Sequence, residues 1–284
     1  MTRSLRLVAI LSPVTVWLVV FALIPLGVMA FYSFQGSTTG GVDGVFTLDN
    51  YAAFLAKGSF QSVLWRSVLI ALATAVISVV MAYPLAYFLN FHAGKSGVIL
   101  LTLMIAPAWT SELLRILAWK LMLGSNGTLN YLISTLGWIP QGSTLIHFGP
   151  VAVIITLVYT WIPFAAMPIY ASLGRIDRSL LEASADLGGT PLRSFLKVTM
   201  PLSASGIMAA FFYVFVPSLG EWVTPSLVGG TSGLMFGNLI QDQFARALNW
   251  PMGAVLSLIM LLAALILTLV ITRIMPLTDL LEAG

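Results

Sequence analysis

Six stretches of this chain are apolar and long enough to cross a lipid bilayer as helices, and this feature limits what the chain can fold into. A bilayer core takes about 20 apolar residues in a helix. The stretches are 7–34, 67–91, 96–123, 144–174, 202–228 and 251–273, of which the third ends in an amphipathic extension from residue 112. Tilting or kinking accommodates those that exceed the minimum length. We therefore expect an all-α integral membrane protein with six transmembrane helices, folded as a single domain over residues 1–284.

The composition agrees with a surface that faces lipid. Of 284 residues, 59% are hydrophobic and 8% are charged, whereas about 25% of a soluble domain is charged. The chain has no cysteine, which excludes disulfides, thiolate metal sites and cysteine nucleophiles. The net charge of +3 does not come from a basic patch interleaved with aromatic residues, so we expect no nucleic-acid partner. His92 and His147 are far apart, and we expect neither a metal site nor catalytic residues.

The distribution of Lys and Arg predicts the orientation of the helices, because cytoplasmic loops are enriched in both. With the N-terminus inside, eight of these residues are cytoplasmic and three are outside. The cytoplasmic set is Arg3, Arg6, Lys95, Arg175, Arg178, Arg193, Lys197 and Arg273, and the outer set is Lys57, Arg66 and Arg246. Both termini are therefore expected inside. The first stretch is too long for the apolar core of a signal peptide and predicts an uncleaved helix.

The loop at residues 175–201 is the only substantial polar stretch on the predicted cytoplasmic side. Residues 179–187 favour a short helix, which Gly188 and Gly189 would end. Thr190 followed by proline favours the start of a second helix. Two short helices joined by a glycine turn would form a rigid projection at the inner membrane surface.

This loop resembles a cytoplasmic loop of ABC importer permeases. The family pattern is Glu-Ala-Ala, three residues, Gly, nine residues, Ile, one residue, Leu-Pro. Here Glu182–Ser184 is followed at the same spacing by Gly188, Val198 and Met200–Pro201. Serine, valine and methionine replace alanine, isoleucine and leucine of the pattern, with size or apolar character roughly kept.

The resemblance implies the type I ABC importer permease fold, in which this loop is a coupling helix that docks on a separate ATP-binding subunit. Glu182 would offer a carboxylate to a cationic group of that subunit, and Gly188 would permit the tight turn. Pro201 would start the fifth span. The residues assigned to ATPase coupling are Glu182, Ala183, Ser184, Asp186, Gly188 and Pro201.

The resemblance also implies a location and a set of partners. The location is the inner membrane of a bacterium, in contact with lipid. The partners are a dimer of ATP-binding cassette subunits, an extracytoplasmic solute-binding protein and a second permease subunit. A heterodimer of permeases is expected by the resemblance, with a homodimer as the alternative.

No phosphate-binding loop is present in the sequence. Gly94-Lys95-Ser96 matches the end of such a motif, but Leu89 stands where the motif needs glycine. The tripeptide also follows an apolar helix and not a strand. We therefore expect no cofactor on this chain, with ATP and Mg²⁺ on the partner ATPase.

Further stretches resemble the spermidine/putrescine permease branch of the family. They are residues 107–119, 127–130 and 220–230, with Gly237-Asn238 and 249–251. The resemblance implies transport of polyamines or a related small organic amine. Relatives of this branch carry other solutes, so a permease for a different small solute is the alternative.

Carboxylates and aromatic rings are candidates for the substrate path, because ammonium groups bind both. The candidates are Glu221, Trp222, Glu112, Trp109 and Asp242. Glu112 has a second interpretation, an ion pair with Arg115 on the same helix face. Asp242 also has a second interpretation, which is contact with the binding protein or with Arg246.

Two other classes of function remain as alternatives. A secondary transporter would usually show internal repeats and intramembrane ionisable relays, and an intramembrane enzyme would need a nucleophile with its base, paired aspartates or a metal cluster. None of these is evident in the sequence. Co-purification of an ATPase subunit separates an ABC permease from both.

Overall fold

A computed structural model of the chain describes residues 3–38, 41–124, 127–137 and 147–274. The side chains of residues 3–10 lie outside the described part, and so do residues 144–146 of the predicted fourth span. The helices are Arg3–Leu18, Ile24–Ser33, Asp49–Ala56, Gly58–Phe91, Gly97–Ile105, Glu112–Leu123, Thr128–Thr135, Pro150–Leu173, Arg178–Asp186, Pro191–Ser194, Met200–Leu202, Ala204–Leu219, Val223–Val228, Phe236–Ala245 and Trp250–Ile274. Shorter turns are π-helical at Val19–Leu23 and Phe195–Thr199, and 3₁₀-helical at Gly94–Ser96 and Ala106–Trp109.

Within the described residues, four helices are long and apolar enough to cross a membrane. They are Leu11–Ser33, Gly58–Phe91, Pro150–Leu173 and Trp250–Arg273. Two bent pairs raise the number to six if each is one broken span. The pairs are Gly94–Trp109 with Glu112–Thr135, bent by 86°, and Pro191–Leu202 with Ala204–Leu219, bent by 65°. The predicted helical membrane class is confirmed.

Three helix boundaries differ from the spans expected from the sequence. The second helix begins at Gly58 and not at residue 67, because a helix can continue past the apolar stretch into more polar surroundings. The fourth begins at Pro150, where proline suits the first turn of a helix. The fifth ends at Leu219 and not at residue 228, and Val223–Val228 forms a separate short helix. The apolar run alone did not reveal that break.

One compact unit is made of the described residues up to Ser62 and of Leu239–Ala263. It contains a two-stranded antiparallel hairpin, Gln35–Thr38 with Gly41–Phe46, which the sequence did not predict. Asn50 anchors the hairpin: its buried side-chain Nδ2 donates to the carbonyl of Gln35 over 2.8 Å. A single short hairpin needs such support, because two strands alone are marginally stable.

The second compact unit is made of Val63–Asn238 and the described residues from Ala264. Its main core lies between the helices Gly58–Phe91, Pro150–Leu173 and Ala204–Leu219. Small side chains dominate this core and are fully buried: Ala71, Ala75, Ala82, Ala86, Ala165, Ala166 and Ala210. Membrane helices pack closely through small residues, because lipid supplies no hydrophobic drive for their association.

Gly206 marks the closest approach of two of these helices. A Cβ atom at this position would overlap with Cβ of Ser172 and would lie 2.7 Å from the carbonyl oxygen of Pro168. The helices Pro150–Leu173 and Ala204–Leu219 therefore pack closely at this point, with no room for a side chain at position 206.

We predict that Gly206→Ala lowers the free energy of unfolding by about 1 to 3 kcal/mol, because the added methyl forces the packed helices apart. Gly27→Ala is the matched control, since Gly27 lies in a helix and has no atom within 4 Å of the added methyl. Thermal unfolding of the purified chain in detergent measures both. Equal unfolding temperatures for Gly206→Ala and the wild type would contradict the packing described.

Candidate functional site

The polar loop folds into two helical segments joined by a turn, and we call residues 177–202 the elbow. Its first helix, Arg178–Asp186, begins at Asp177, whose Oδ1 accepts a hydrogen bond from the backbone N–H of Ser179 over 3.0 Å. This bond holds the pKa of Asp177 below its usual value. The sequence analysis gave Asp177 no role, although an aspartate before a helix is a capping signal.

The first helix ends in a Schellman motif built on the two glycines. The N–H of Gly188 donates to the carbonyl of Ala185, and the N–H of Gly189 donates to that of Ser184, each over 2.9 Å. Gly188 has φ +77°, a conformation that favours glycine. Gly189 is required for space, because a Cβ atom would lie 2.6 Å from the carbonyl oxygen of Ser184. The predicted helix and glycine turn are confirmed.

The second helical segment begins as predicted at Thr190 and Pro191. Oγ1 of Thr190 accepts a hydrogen bond from the N–H of Arg193 over 3.3 Å. A hydrogen bond of 2.7 Å between the hydroxyls of Ser184 and Ser194 joins the two segments. Ser184 stands where the family pattern has alanine, so this chain has a polar tie between the segments that alanine could not form.

The outer face of the elbow is exposed. The helix Arg178–Asp186 contains no buried residue, and both Glu182 and Asp186 are exposed. The side chain of Leu187 is 89% exposed, an unfavourable position for leucine in water. A groove of about 650 Å³ between the segments is lined mainly by apolar side chains, together with Arg193 and Lys197.

The elbow continues past Pro201, which the sequence predicted to start the fifth span. The structure corrects this prediction, because Pro201 lies inside the segment Pro191–Leu202 and the chain bends by 65° before Ala204–Leu219. Proline is tolerated there since it stands in the first turn of the short helix Met200–Leu202.

Glu221 lies where the fifth helix has ended and the next short helix begins. Its Oε1 accepts hydrogen bonds from the N–H groups of Val223, over 2.8 Å, and Thr224, over 3.2 Å. The carboxylate therefore caps the helix Val223–Val228. The sequence analysis assigned Glu221 to the substrate path and did not predict that it caps a helix.

Glu112 lies near Glu221 through the packing of the helices that follow each of them. Glu112 begins the helix Glu112–Leu123, which packs against Val223–Val228. The suggested ion pair between Glu112 and Arg115 is absent: within the described residues no N–O distance of 4.0 Å or less joins them. The structure thus places two of the predicted acidic residues at the starts of two helices that pack together.

The two tryptophans of the candidate path are accessible. Trp109 is 80% exposed and Trp222 is 44% exposed. Each stands at a break in the helices, Trp109 at the end of a 3₁₀ turn and Trp222 before Val223–Val228. Their rings are therefore available to a cation.

Asp242 belongs to the first compact unit and forms an ion pair with Arg246, one of the contacts considered from the sequence. The N–O distance is 3.5 Å, and Arg246 follows directly after the helix Phe236–Ala245 that carries Asp242. Both side chains are exposed, and such pairs contribute about 1 kcal/mol or less. Asp242 therefore has a local partner.

Asn238 fixes the segment around Trp222, a role that the sequence did not reveal. Its Nδ2 donates to the carbonyl of Trp222 over 2.8 Å and to the hydroxyl of Ser226 over 2.7 Å, and its Oδ1 accepts from the N–H of Met235 over 2.9 Å. The preceding Gly237 leaves no room for a side chain, since a Cβ atom would lie 2.7 Å from the carbonyl of Glu221. Both residues lie in the first turn of the helix Phe236–Ala245, and the sequence analysis named them only as part of the resemblance.

The membrane helices and the exposed elbow define the permease subunit of an ABC importer. The sequence profile described as "Binding-protein-dependent transport system inner membrane component" matches residues 6–283. The chain belongs to this family, which makes it a multi-pass inner-membrane transport component. The resemblance found in the sequence is thereby confirmed.

Curated relatives share the length as well as the sequence of this chain. The spermidine/putrescine transport system permease protein PotB of Escherichia coli (strain K12) is 38% identical over 90% of this chain and 93% of its own length. The inner membrane ABC transporter permease protein YdcU of the same organism is 32% identical, over 84% and 80% respectively.

A solved structure confirms the fold. A chain of the bacterial alginate ABC transporter, in complex with alginate pentasaccharide-bound periplasmic protein, matches with a TM-score of 0.70. The match covers 96% of this chain and 95% of that one at 15% identity. The likeness therefore concerns the fold alone.

Proposed function

We propose that this chain forms half of the translocation path of a polyamine importer, and that its elbow docks on a separate ATPase subunit. Solute would reach it from an extracytoplasmic binding protein. ATP and Mg²⁺ would bind to the ATPase, whose cycle moves the permease between inward-facing and outward-facing states.

The observation that carries this proposal is the combination of rigidity and exposure in the elbow. Asp177 caps the start of its first helix, two glycines fix its end, and the Ser184–Ser194 bond ties it to the second segment. Yet no residue of that helix is buried within this chain. A helix held so firmly and left uncovered, with Leu187 exposed beside it, fits a surface that a second protein covers.

The acidic and apolar character of this surface suggests how the ATPase is recognised. Glu182 and Asp186 are exposed carboxylates, and Leu187 is an exposed apolar anchor next to them. A cleft with apolar walls and a basic rim would match this chemistry. Nucleotide chemistry must come from that partner, because Leu89 replaces the glycine a phosphate-binding loop needs.

The basic residues support an orientation with both termini in the cytoplasm. Arg175 precedes the elbow, the elbow carries Arg178, Arg193 and Lys197, and Arg273 lies in the last turn of the last helix. Loops that are rich in Lys and Arg stay on the cytoplasmic side of the membrane. This orientation puts the elbow on the side where ATP is available.

A second permease and a binding protein complete the proposed assembly. One chain of this family supplies half of a path, and we propose a heterodimer. The alginate transporter was solved in complex with a solute-bound periplasmic protein, which supports the same mode of solute delivery here.

Polyamines are the proposed solutes because the described site offers carboxylates and open aromatic faces. Glu112 and Glu221 stand at the starts of two helices that pack together, and a cation bound beside these carboxylates would be stabilised. Trp109 and Trp222 present exposed rings. The similarity to a spermidine/putrescine permease over 90% of the chain supports the same class of solute.

We predict that Gly188→Arg abolishes ATP-driven uptake while membrane insertion is unchanged, because a large cation is placed on the docking surface. Gly137→Arg is the matched control, since Gly137 has φ +76° and equally open surroundings but lies outside the elbow. Uptake by reconstituted vesicles and co-purification of the ATPase subunit measure the effect.

The control separates docking from backbone strain. Gly137→Arg should retain both uptake and the ATPase subunit. If Gly188→Arg also retained normal uptake, or if the wild-type chain brought down no ATPase, the coupling role of the elbow would be refuted.

We predict that Glu221→Gln lowers the maximal rate of spermidine uptake about 10-fold or more, because the negative charge that attracts the ammonium groups of the substrate is lost. Glutamine keeps Oε1, so the bonds to Val223 and Thr224 can persist. Asp49→Asn, at an exposed acid in the first turn of another helix, serves as the control.

Two results would count against the solute assignment. If Glu221→Gln took up spermidine at the wild-type rate, Glu221 would have no role in the substrate path and would serve only to cap the helix Val223–Val228. Strict preference of the cognate binding protein for a sugar or an anion, measured by calorimetry, would remove polyamines as the transported class.

A further inference from the structure

A buried pair of hydroxyl groups joins the bend that follows the elbow to the helix Gly58–Phe91. The hydroxyls of Tyr83 and Ser203 are 2.8 Å apart, and they come from positions 120 residues apart in the sequence. Ser203 is fully buried and Tyr83 is 9% exposed. A buried hydrogen bond of this kind fixes the relative position of the two elements that carry it.

Ser203 stands at the bend between Pro191–Leu202 and Ala204–Leu219. Its hydroxyl donates to the carbonyl of Thr199 over 2.8 Å, and that carbonyl also accepts the backbone N–H of Ser203 over 3.0 Å. Either hydroxyl can be the donor in the bond between Ser203 and Tyr83. The same side chain therefore closes the bend and binds the neighbouring helix.

A third helix is tied to the same residue. The hydroxyl of Ser172 donates to the backbone carbonyl of Ser203 over 3.2 Å. One turn further along, Gly206 allows direct contact with Ser172. The bend is thus fixed to Pro150–Leu173 through its backbone and to Gly58–Phe91 through its hydroxyl.

The segment before the bend has two features of a part that rearranges. Phe195–Thr199 is a π-helical turn, a form found mostly in short pieces at functional positions. Oγ1 of Thr199 is buried and, within the described residues, has no hydrogen-bond partner. An unsatisfied buried hydroxyl is unfavourable, and a change of this turn could relieve it.

Aromatic packing holds this turn against the second helix. The ring of Phe195 meets that of Tyr83 edge-on at 5.5 Å between centroids, and that of Tyr87 at 6.0 Å. Tyr87 thus contacts the same ring, but no hydrogen bond from its hydroxyl is seen within the described residues.

We infer that Tyr83 and Ser203 form a latch through which movement of the elbow is passed to the helix Gly58–Phe91. This inference rests on the proposed coupling of the elbow to an ATPase. Both are positioning residues: they act on the path by fixing one helix to the bend, and need not touch the solute. Without the bond, the elbow still moves with the ATPase, but the second helix follows less completely.

The test compares Tyr83→Phe with Tyr87→Phe in the complete reconstituted importer. Tyr83→Phe keeps the ring on Phe195 and removes only the hydroxyl. We expect ATP hydrolysis to persist and solute taken up per ATP to fall about 2- to 10-fold, the factor that one buried hydrogen bond contributes to an equilibrium. Tyr87→Phe should leave this ratio unchanged.

A second variant guards against an effect peculiar to one side chain. Ser203→Ala should lower the same ratio, and the double variant should be no worse than Ser203→Ala, because the bond between the two hydroxyls is already lost in each. A purely structural role would reduce the amount of folded complex and scale uptake and hydrolysis together. An unchanged ratio in Tyr83→Phe therefore overturns the latch.

Failure of the latch and failure of the proposed function give different results. If the wild-type assembly couples ATP hydrolysis to uptake and Tyr83→Phe does so equally well, only the latch is refuted. If the wild-type assembly shows no ATP-driven uptake, the coupling function is refuted and the latch falls with it.

Discussion

Hydrocarbon offers a peptide group no hydrogen-bond partner, and this constraint determines how the helices of this chain can be interrupted. At the 65° bend the hydroxyl of Ser203 bonds the carbonyl of Thr199. Beyond the fifth helix the carboxylate of Glu221 accepts from two amides of the next helix. After the third apolar stretch Oγ1 of Thr110 donates to the carbonyl of Pro107 over 2.6 Å. The carbonyls of Thr199 and Pro107 also accept backbone N–H groups, so backbone and side-chain bonds together keep these groups paired where the chain changes direction.

Hydrogen bonds at the helix ends and between side chains also make the elbow a rigid extension of the helical core. Its first helix is capped at both ends, and the bond between Ser184 and Ser194 joins it to the segment that leads to Ser203. At that point the chain meets two membrane helices, and Gly206 brings one of them into direct contact. A displacement applied to the exposed face therefore has a continuous path of packed groups to follow. Whether such a path carries coupling is decided by variants and not by proximity.

Local features of this structure could be predicted from the sequence, whereas contacts between distant residues could not. The length of the apolar stretches gave the helical membrane class, and the turn at Gly188 followed from residues within a few positions of it. The bond between Tyr83 and Ser203 joins residues 120 positions apart, and no local pattern indicates it. The capping role of Glu221 was missed because the helix that it caps begins inside an apolar run that reads as one span. The coupling and path roles of the assigned residues stay predictions.

The measurement that most directly tests this account is the accessibility of a cysteine at Leu187. The chain has no cysteine, so Leu187→Cys creates a single thiol at a position that is 89% exposed. A membrane-impermeant thiol reagent should label it in inside-out vesicles only, and addition of the ATPase subunit should protect it. Leu48→Cys, 62% exposed in the loop between the first two spans, should be labelled only from the opposite side and should gain no protection. Labelling of Leu187→Cys from outside the cell, or equal labelling with and without the ATPase, would contradict the account.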